Sequence, residues 1–450
     1  MSFRVDKLPP TLYLYNTWGK IAITYTIYKN KGNMTNMKLS EELKWRGFIN
    51  QTTYSDIKVI DGEPITFYWG VDPSADSMQA GNFAIAMMIK HFIKHGHKPI
   101  LLVGGATGII GDPGGKDVER ELKALEVIKN NKASIANQYK KIFGEKGIIQ
   151  VDNYEWFKDM TYIDFLRTVG KNAPLSQMLG REFVKSRLGS EGSGISYAEF
   201  SYSLMQGYDF VHLFKKYGAT LQVCGADQWG NCIAGVELIR KMEGGDAHVW
   251  SAPLVINKTT GRKFGKSEDG AVWLKEERTS VFRFYQFWLN SGDLDVEDYL
   301  KIYTELEKPE IDRVMSEQRK NPGQRPAQKR LALEVTTIVH GAEKAESVKN
   351  ASEALFGLKD YKDLGKNEYI ELARELPIIK AKDGDSLVDI LVKGKLASSK
   401  TEAKRFLDSS AVYINGSQIP MDMTTLEAKD AIHGYVVVRR GKNESVLVSL

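Results

Sequence analysis

Two short β-branched and apolar runs, Ile65–Val71 and Pro99–Val103, bracket a helical run over Ser77–His95. The pattern predicts one strand–helix–strand unit of about 30 residues. Gly81 falls at the helix start, where a missing Cβ lets a ligand lie against the backbone. The free N–H groups and the dipole of a helix start favour an anion there. The second strand runs into Gly104-Gly105-Ala106-Thr107-Gly108 and then Gly111-Asp112-Pro113-Gly114-Gly115-Lys116. A glycine-rich loop at a strand end suits a nucleotide crevice. The same residues also read as a turn-rich surface loop.

Further on, the pattern predicts a charged helix over Lys116–Phe143, a strand at Ile148–Val151 and a helix over Asp159–Lys171. In the helix predicted over Tyr197–Lys216, Tyr202, Gln206 and Asp209 stand at i, i+4 and i+7 and share a face. Such a polar stripe meets solvent or lines a polar pocket. Ala219–Gly225 reads as a strand ending in glycine, with Asp227 just beyond it. An acid there can receive ribose hydroxyls or cap the following helix. Leu254–Asn257 reads as a strand leading to a loop with four bases in nine residues, Lys258, Arg262, Lys263 and Lys266. A basic, glycine-containing loop suits a polyphosphate, or is a solvated turn.

From Ser280 the spacing is helical: Val296–Leu306 with Asp295 as cap, Pro309–Lys320, Pro326–His340 and Ala342–Phe356. Past Pro377 come a short helix at Ser386–Val392 and a capping box, Ser399 to Glu402, opening a helix over Thr401–Leu407. An Asn415-Gly416 hairpin turn follows, and Tyr435–Arg440 with Val446–Leu450 reads as a second ribbon. Lys393, Lys395, Lys400, Lys404 and Arg405 make this module basic, as an RNA-backbone binder would be.

Composition narrows the class. At 450 residues and 42% hydrophobic content, the chain supports a large core and roughly two to four domains. A net charge of +5 permits nucleic-acid binding without demanding it. Cys224 and Cys232 lack histidines at ligand spacing and read as reduced thiols. His91, His95 and His97 read as a helix face and its turn rather than a metal site. No apolar run is long enough to span a membrane. Residues 1–36 hold five bases and one acid. With one arginine and one serine they fit a targeting peptide poorly, and read as a loose extension or a start placed too early.

The motifs in combination are more specific than any one of them. They run Tyr-x-Gly-x-Asp-Pro-x-Ala-Asp-Ser at 68–77, Gly-Gly-Ala-Thr-Gly at 104–108 and Gly-Asp-Pro at 111–113. Then come Tyr-x-x-x-Gln-x-Tyr-Asp at 202–209, Gly-x-Asp-Gln-Trp-Gly-Asn at 225–231 and Lys-Phe-Gly-Lys-Ser at 263–267. From about Met37 onward the chain resembles the bacterial-type and organellar tyrosyl-tRNA synthetases, a class I aminoacyl-tRNA synthetase family. The resemblance implies an α/β fold. A Rossmann-like catalytic domain (37–265, with a dimer-interface insertion) would be followed by a helical tRNA-binding domain (266–376) and a small α+β S4-like RNA-binding domain (377–450). One departure stands out. Where the family has His-x-Gly-His or His-x-Gly-Asn, this chain has Gln79-Ala80-Gly81-Asn82. Glutamine can donate a hydrogen bond to a phosphate oxygen but cannot carry positive charge. Ser74 replaces the usual threonine.

The resemblance implies a two-step reaction: tyrosine attacks the α-phosphate of ATP, expels pyrophosphate, and is then passed to the terminal adenosine of tRNA(Tyr). Tyr68 and Asp209 would grip the phenol hydroxyl. Such a site rejects phenylalanine because its buried polar groups would go unpaired, a rule for which tyrosyl-tRNA synthetases are themselves the usual illustration. Tyr202, Gln206 and Asp112 would hold the ammonium, and Gln228 the carboxylate or α-phosphate. Asp227 and Gly225 would receive the ribose, with Asp72 bordering it. Ser74, Gln79 and Asn82 would face the phosphates beside Gly81; Lys263, Lys266 and Ser267 would follow the departing pyrophosphate, with Lys116 and Arg120 closing that side. Mg²⁺ would arrive with ATP, with no dedicated protein cage. The implied partners are tyrosine, tRNA(Tyr) and a second copy in a homodimer, in the cytoplasm or alternatively an organellar matrix. Tryptophanyl-tRNA synthetase and a fold-related RNA-binding protein without catalysis are the rival readings.

Overall fold

The computed structural model describes residues 37–450 except 113–122, 181, 189–193, 262–263, 265, 268–269, 421 and 442–443. The expectations for residues 1–36 and for Lys116, Arg120 and Lys263 lie outside the described residues, as do the side chains of Lys266 and Ser267.

Among the described residues, six strands form the central sheet. They are β1 (Gln51–Thr52), β2 (Thr66–Val71), β3 (Lys98–Val103), β4 (Ile149–Asp152), β5 (Leu221–Gly225) and β6 (His248–Ala252). Their order is β1-β6-β5-β2-β3-β4. The pairs from β6 to β4 are parallel, and β1 joins the edge antiparallel. The chain winds outward in opposite directions from β2 and β5. A crevice therefore opens beyond their C-terminal ends, the usual ligand position in such sheets.

The helix after β2 spans Ala80–Lys94 and buries Phe83, Ile85, Met87, Met88 and Ile89. It starts later than the apolar pattern predicts because residues 78–80 are held extended instead. Ala80 N–H donates to Val272 O at 3.0 Å and Leu274 N–H to Met78 O at 3.0 Å. The charged helix is seen over Leu125–Phe143, and the one expected at Asp159–Lys171 shortens to Tyr162–Thr168 with a 3-10 turn at Gly170–Asn172. Leu254–Asn257 is not a strand. The strand lies earlier, in β6, and Pro253 follows its end with no N–H to continue the ladder.

Two short strands, β7 (Lys266–Ser267) and β8 (Gly270–Ala271), pair antiparallel after the basic loop. Helices then follow at Val281–Leu289, Val296–Tyr303, Lys308–Lys320, Pro326–His340, Ala342–Leu355 and Lys366–Glu375. Asp295 does not cap the second of these with its side chain. It accepts from Lys258 N–H at 2.7 Å and Thr259 Oγ1 at 3.1 Å, bracing the start of the basic loop. Phe264 packs 4.3 Å from Tyr299 within an aromatic cluster that includes Trp288 and Tyr303.

Buried Arg46, on the Leu39–Arg46 helix, ties the first helix to this region. It donates to Lys301 O, Thr304 O and Leu306 O and pairs with Glu42 at 3.0 Å. The Glu42 carboxylate also meets His91 Nδ1 and His95 Nε2. Burial works against that carboxylate, but the two histidines and Arg46 hold it well below the usual range. Burial pushes His91 down to about 4.

The C-terminal part carries β9 (Ile378–Lys380), β10 (Asp385–Ser386), β11 (Val412–Ile414), β12 (Ser417–Gln418), β13 (Thr425–Leu426), β14 (Tyr435–Arg440) and β15 (Glu444–Ser449). The second expected ribbon, β14 with β15, joins the first hairpin in one sheet, β12-β11-β14-β15-β9. Asn415 and Gly416 both take positive φ (46° and 81°), as a tight hairpin turn requires. Ser399 caps the helix Lys400–Asp408, yet Glu402 turns back to Ser398 N–H and Oγ at 2.6 Å, so the box is only half formed. Val436 and Val438 face the local core, while Val437 and Leu447 belong to the core shared with the helices. Both faces of the β14–β15 pair are thus buried.

Candidate active site

The crevice at the ends of β2 and β5 is lined by Tyr68, Asp72, Ser74, Gln79, Asn82, Asp112, Tyr202, Gln206, Asp209, Asp227 and Gln228. Every sequence-predicted site residue with a described side chain is there except the two glycines. A Cβ on Gly81 would meet nothing within 4 Å, so open space lies beside it. A Cβ on Gly225 would lie 2.7 Å from Asp227 Oδ1, so glycine makes room for that carboxylate. Asp227 sits in a 3-10 turn, Ala226–Gln228, and does not cap the next helix, Trp229–Glu243; Gln228 holds that position.

One end is closed and desolvated. Tyr68 is 1% exposed and Asp209 2%. Asp209 accepts from Trp156 Nε1 at 2.9 Å and Asn153 Nδ2 at 3.0 Å. Burial pushes its carboxyl well above the usual range, against the pull of these two bonds. Burial likewise raises the Tyr68 phenol. Tyr68 Oη, Gln206 Oε1 and Gln222 Oε1 are buried without a hydrogen-bond partner. A buried polar atom left alone costs about 1–3 kcal/mol, so these groups are shaped for something that enters.

The middle of the crevice is a chain of polar contacts. Asp72 accepts from Tyr202 Oη and Thr107 Oγ1, both at 2.7 Å. Gln228 Nε2 donates to Asp112 at 2.6 Å and Gln228 Oε1 accepts from Asn231 at 3.1 Å. The glycine loop explains itself here. A Cβ on Gly104 would lie 2.0 Å from Asp72 Oδ1, and one on Gly105 2.1 Å from Asp152 Oδ1. These two glycines make room for the carboxylates of Asp72 and Asp152. Asn153 pins the same loop, accepting from Ala106 N–H at 2.7 Å and donating to Thr107 Oγ1 at 2.9 Å.

The other end is open. Ser74 is exposed; Gln79 and Asn82 are half-buried. Gln79 N–H donates to Asn82 Oδ1 at 3.1 Å, so the Asn82 amide oxygen is engaged at the helix start. Asp76 nearby pairs with Lys275 at 2.7 Å and with Arg278. Burial opposes its charge, but the two cations hold its carboxyl below the usual range. Sequence reasoning missed Ser77, Thr107, Gln222 and Trp273 in the lining, and Asn153 and Trp156 behind Asp209. For Trp273 a signal existed: the apolar run Ala271–Leu274 directly follows the basic loop. Among the described residues, no group of three or more His, Cys, Asp or Glu could hold a metal ion.

A doubly wound parallel sheet with this crevice is consistent with a class I tRNA synthetase. Residues 61–357 match the class I tRNA synthetase family for tryptophan and tyrosine, and the chain belongs to it. Within that class it belongs to the tyrosyl-tRNA synthetases. Residues 368–448 match the tyrosine–tRNA ligase SYY-like C-terminal domain. Tyrosine–tRNA ligase 1 of Enterococcus faecalis is 42% identical over 92% of this chain and 100% of its own length. Tyrosine–tRNA ligase of Geobacillus kaustophilus is 42% identical over 92% of this chain and 99% of its own. A C-terminally truncated mitochondrial tyrosyl-tRNA synthetase of Aspergillus nidulans superposes with a TM-score of 0.64 at 32% identity, covering 71% of this chain and 94% of that one. Enzymes of this class use ATP as substrate.

Proposed function

We propose that this protein ligates tyrosine to tRNA(Tyr) through a tyrosyl-adenylate. The observation that carries the reading is the closed end of the crevice. There, Tyr68 Oη without a partner and the buried Asp209 carboxylate await a phenol hydroxyl. A tryptophan indole offers no hydroxyl to that pair. Gln206 Oε1, also without a partner, accepts from the substrate ammonium together with Tyr202 and Asp112. Gln228 meets the carboxylate or α-phosphate. Asp227, Gly225 and Asp72 serve the ribose side.

No covalent enzyme intermediate is needed. The substrate carboxylate oxygen forms a bond to the α-phosphorus as the bond to the pyrophosphate oxygen breaks. Catalysis is positioning plus stabilisation of the charge that gathers on the phosphates. Ser74, Gln79 and Asn82 donate from the open end, beside Gly81 at the helix start. Lys263, Lys266, Ser267, Lys116 and Arg120 stabilise the leaving pyrophosphate. Mg²⁺ enters as part of the ATP substrate.

In this reading a catalytic part (37–265) is followed by a helical part (266–376) and an S4-like part (377–450), and the last two bind the tRNA. The basic residues near helix Lys400–Asp408 suit its backbone. A homodimer is supported by exposed apolar side chains clustered in sequence: Tyr162, Ile163, Leu175, Leu188 and Tyr197. Cytoplasm is the proposed compartment, with an organellar matrix as the alternative. Tyrosine-dependent exchange of pyrophosphate into ATP, absent with tryptophan, and charging of tRNA(Tyr) are the expected results. RNA binding without exchange would overturn the reading.

A further inference from the structure

The segment after the basic loop has no role in the assignments above, yet it links the two halves of the phosphate end. β7 pairs with β8 in the register Lys266↔Ala271 and Ser267↔Gly270. A two-residue pair has no stability of its own, so its place is set by the chain that continues from it. That chain, Val272–Leu274, lies against residues 78–80. Val272 O accepts from Ala80 N–H, Leu274 N–H donates to Met78 O, and Gln79 forms an antiparallel bridge with Trp273. The backbones of Lys266 and Gln79 thus belong to one continuous set of pairings.

Trp273 sits at the join. It lines the crevice, as do Ser74, Gln79 and Asn82. Its backbone N–H donates to Thr279 Oγ1 at 3.1 Å. The Arg278 guanidinium lies over the indole, 4.7 Å from the ring centroid, and pairs with Asp76 at the same time. Asp76 also takes Lys275 Nζ at 2.7 Å, and Lys275 N–H donates to Ser77 Oγ at 3.1 Å. On the upstream side of β7, Phe264 is buried against Tyr299. An aromatic residue thus stands on each side of the β7–β8 pair, Phe264 in the core and Trp273 at the crevice.

We propose that Trp273, braced by Arg278 and Asp76, is a positioning residue that holds the β7–β8 pair in register with the start of the Ala80–Lys94 helix, so that Lys266 and Gln79 address the same phosphates. This rests on the reading of Lys266 and Gln79 as phosphate-end groups. A large flat side chain suits the task. It supplies contact area with few rotatable bonds, and its face attracts the guanidinium that locks it. Errors of about 1 Å in such a site cost about a hundredfold in rate.

The test is pyrophosphate exchange by the full-length protein, with tyrosine affinity measured separately by equilibrium dialysis. Trp273→Ala should lower the exchange rate about tenfold to a hundredfold and raise the KM for ATP, with tyrosine Kd unchanged. Trp273→Phe, which keeps a face for Arg278, should restore most of the rate. Arg278→Gln, at an exposed position, should reproduce a smaller loss without touching tyrosine. Adding Trp273→Ala to Lys266→Ala should cost much less than it costs alone, since the group it positions is already gone. An equal loss of tyrosine affinity, no rescue by phenylalanine, or full additivity would overturn the proposal. Wild-type protein without any exchange would instead overturn the underlying reading of the site, and the two failures are distinguishable.

Discussion

The two ends of the crevice are built on opposite principles. At the closed end, Tyr68 and Asp209 are buried and Asp209 is held from behind by Asn153 and Trp156. At the open end, Ser74 is exposed, Gln79 and Asn82 are half-buried, and residues 78–80 at the helix start are held by backbone pairing to residues 272–274. The difference follows from what each end must do. Selecting a phenol requires desolvated donors and acceptors, so that a ligand lacking the hydroxyl leaves them unpaired. Handling a triphosphate requires donors that strengthen as charge shifts onto the leaving group. One end discriminates in the ground state; the other acts in the transition state.

The sharpest way to break that comparison is Lys266→Ala. It should slow adenylate formation by about 10²–10³-fold, the usual cost of losing one charge-stabilising donor. Tyrosine affinity should not change in a binding titration. Equal losses in both would dissolve the distinction. Asp209→Asn should do the reverse, weakening tyrosine about tenfold to a hundredfold while leaving the rate at saturation nearly intact, and should narrow the preference over phenylalanine. Steady-state kinetics with both amino acids check this.

A smaller effect separates the ends by pH. Burial raises the Asp209 carboxyl, so its protonated form survives to higher pH than an ordinary aspartic acid. The phenol hydroxyl donates to the ionised form. Tyrosine affinity should therefore rise as pH rises through that elevated value, and Asp209→Asn should flatten the profile. The same shift acts on folding with the opposite sign: the folded chain holds a proton that the unfolded chain releases, so this contribution to stability is present at low pH and lost as pH rises through the folded value. Smallest of all, Gln79→Ala should cost about two- to tenfold in rate, the worth of a neutral hydrogen bond. An unchanged rate in single-turnover assays would mean that Gln79 has no catalytic part.

The sequence made the open framework readable and the closed end only partly so. The unit from β2 through the Ala80–Lys94 helix to β3 follows from local periodicity, which a strand and a buried helix both impose. The Tyr202, Gln206 and Asp209 stripe was visible as polarity, but its burial depends on what packs over it. Asp227 and Asp295 both read as helix caps because capping is the nearest local use of an acid before a helix. Asp227 instead tucks beside Gly225, and Asp295 is claimed by Lys258 and Thr259. Trp273 was missed because it makes only a single bridge and its partner, Gln79, is distant in sequence. Asn153 and Trp156 act by touching Asp209, and no spacing announces a contact made across the sheet.

Single-turnover adenylate formation, followed across tyrosine concentration at saturating ATP, tests the separation most directly. For wild type, Lys266→Ala and Asp209→Asn, the account predicts that the first substitution lowers the plateau rate at an unchanged half-saturation, and that the second raises half-saturation with a plateau close to wild type. Two substitutions that move both quantities together would contradict it.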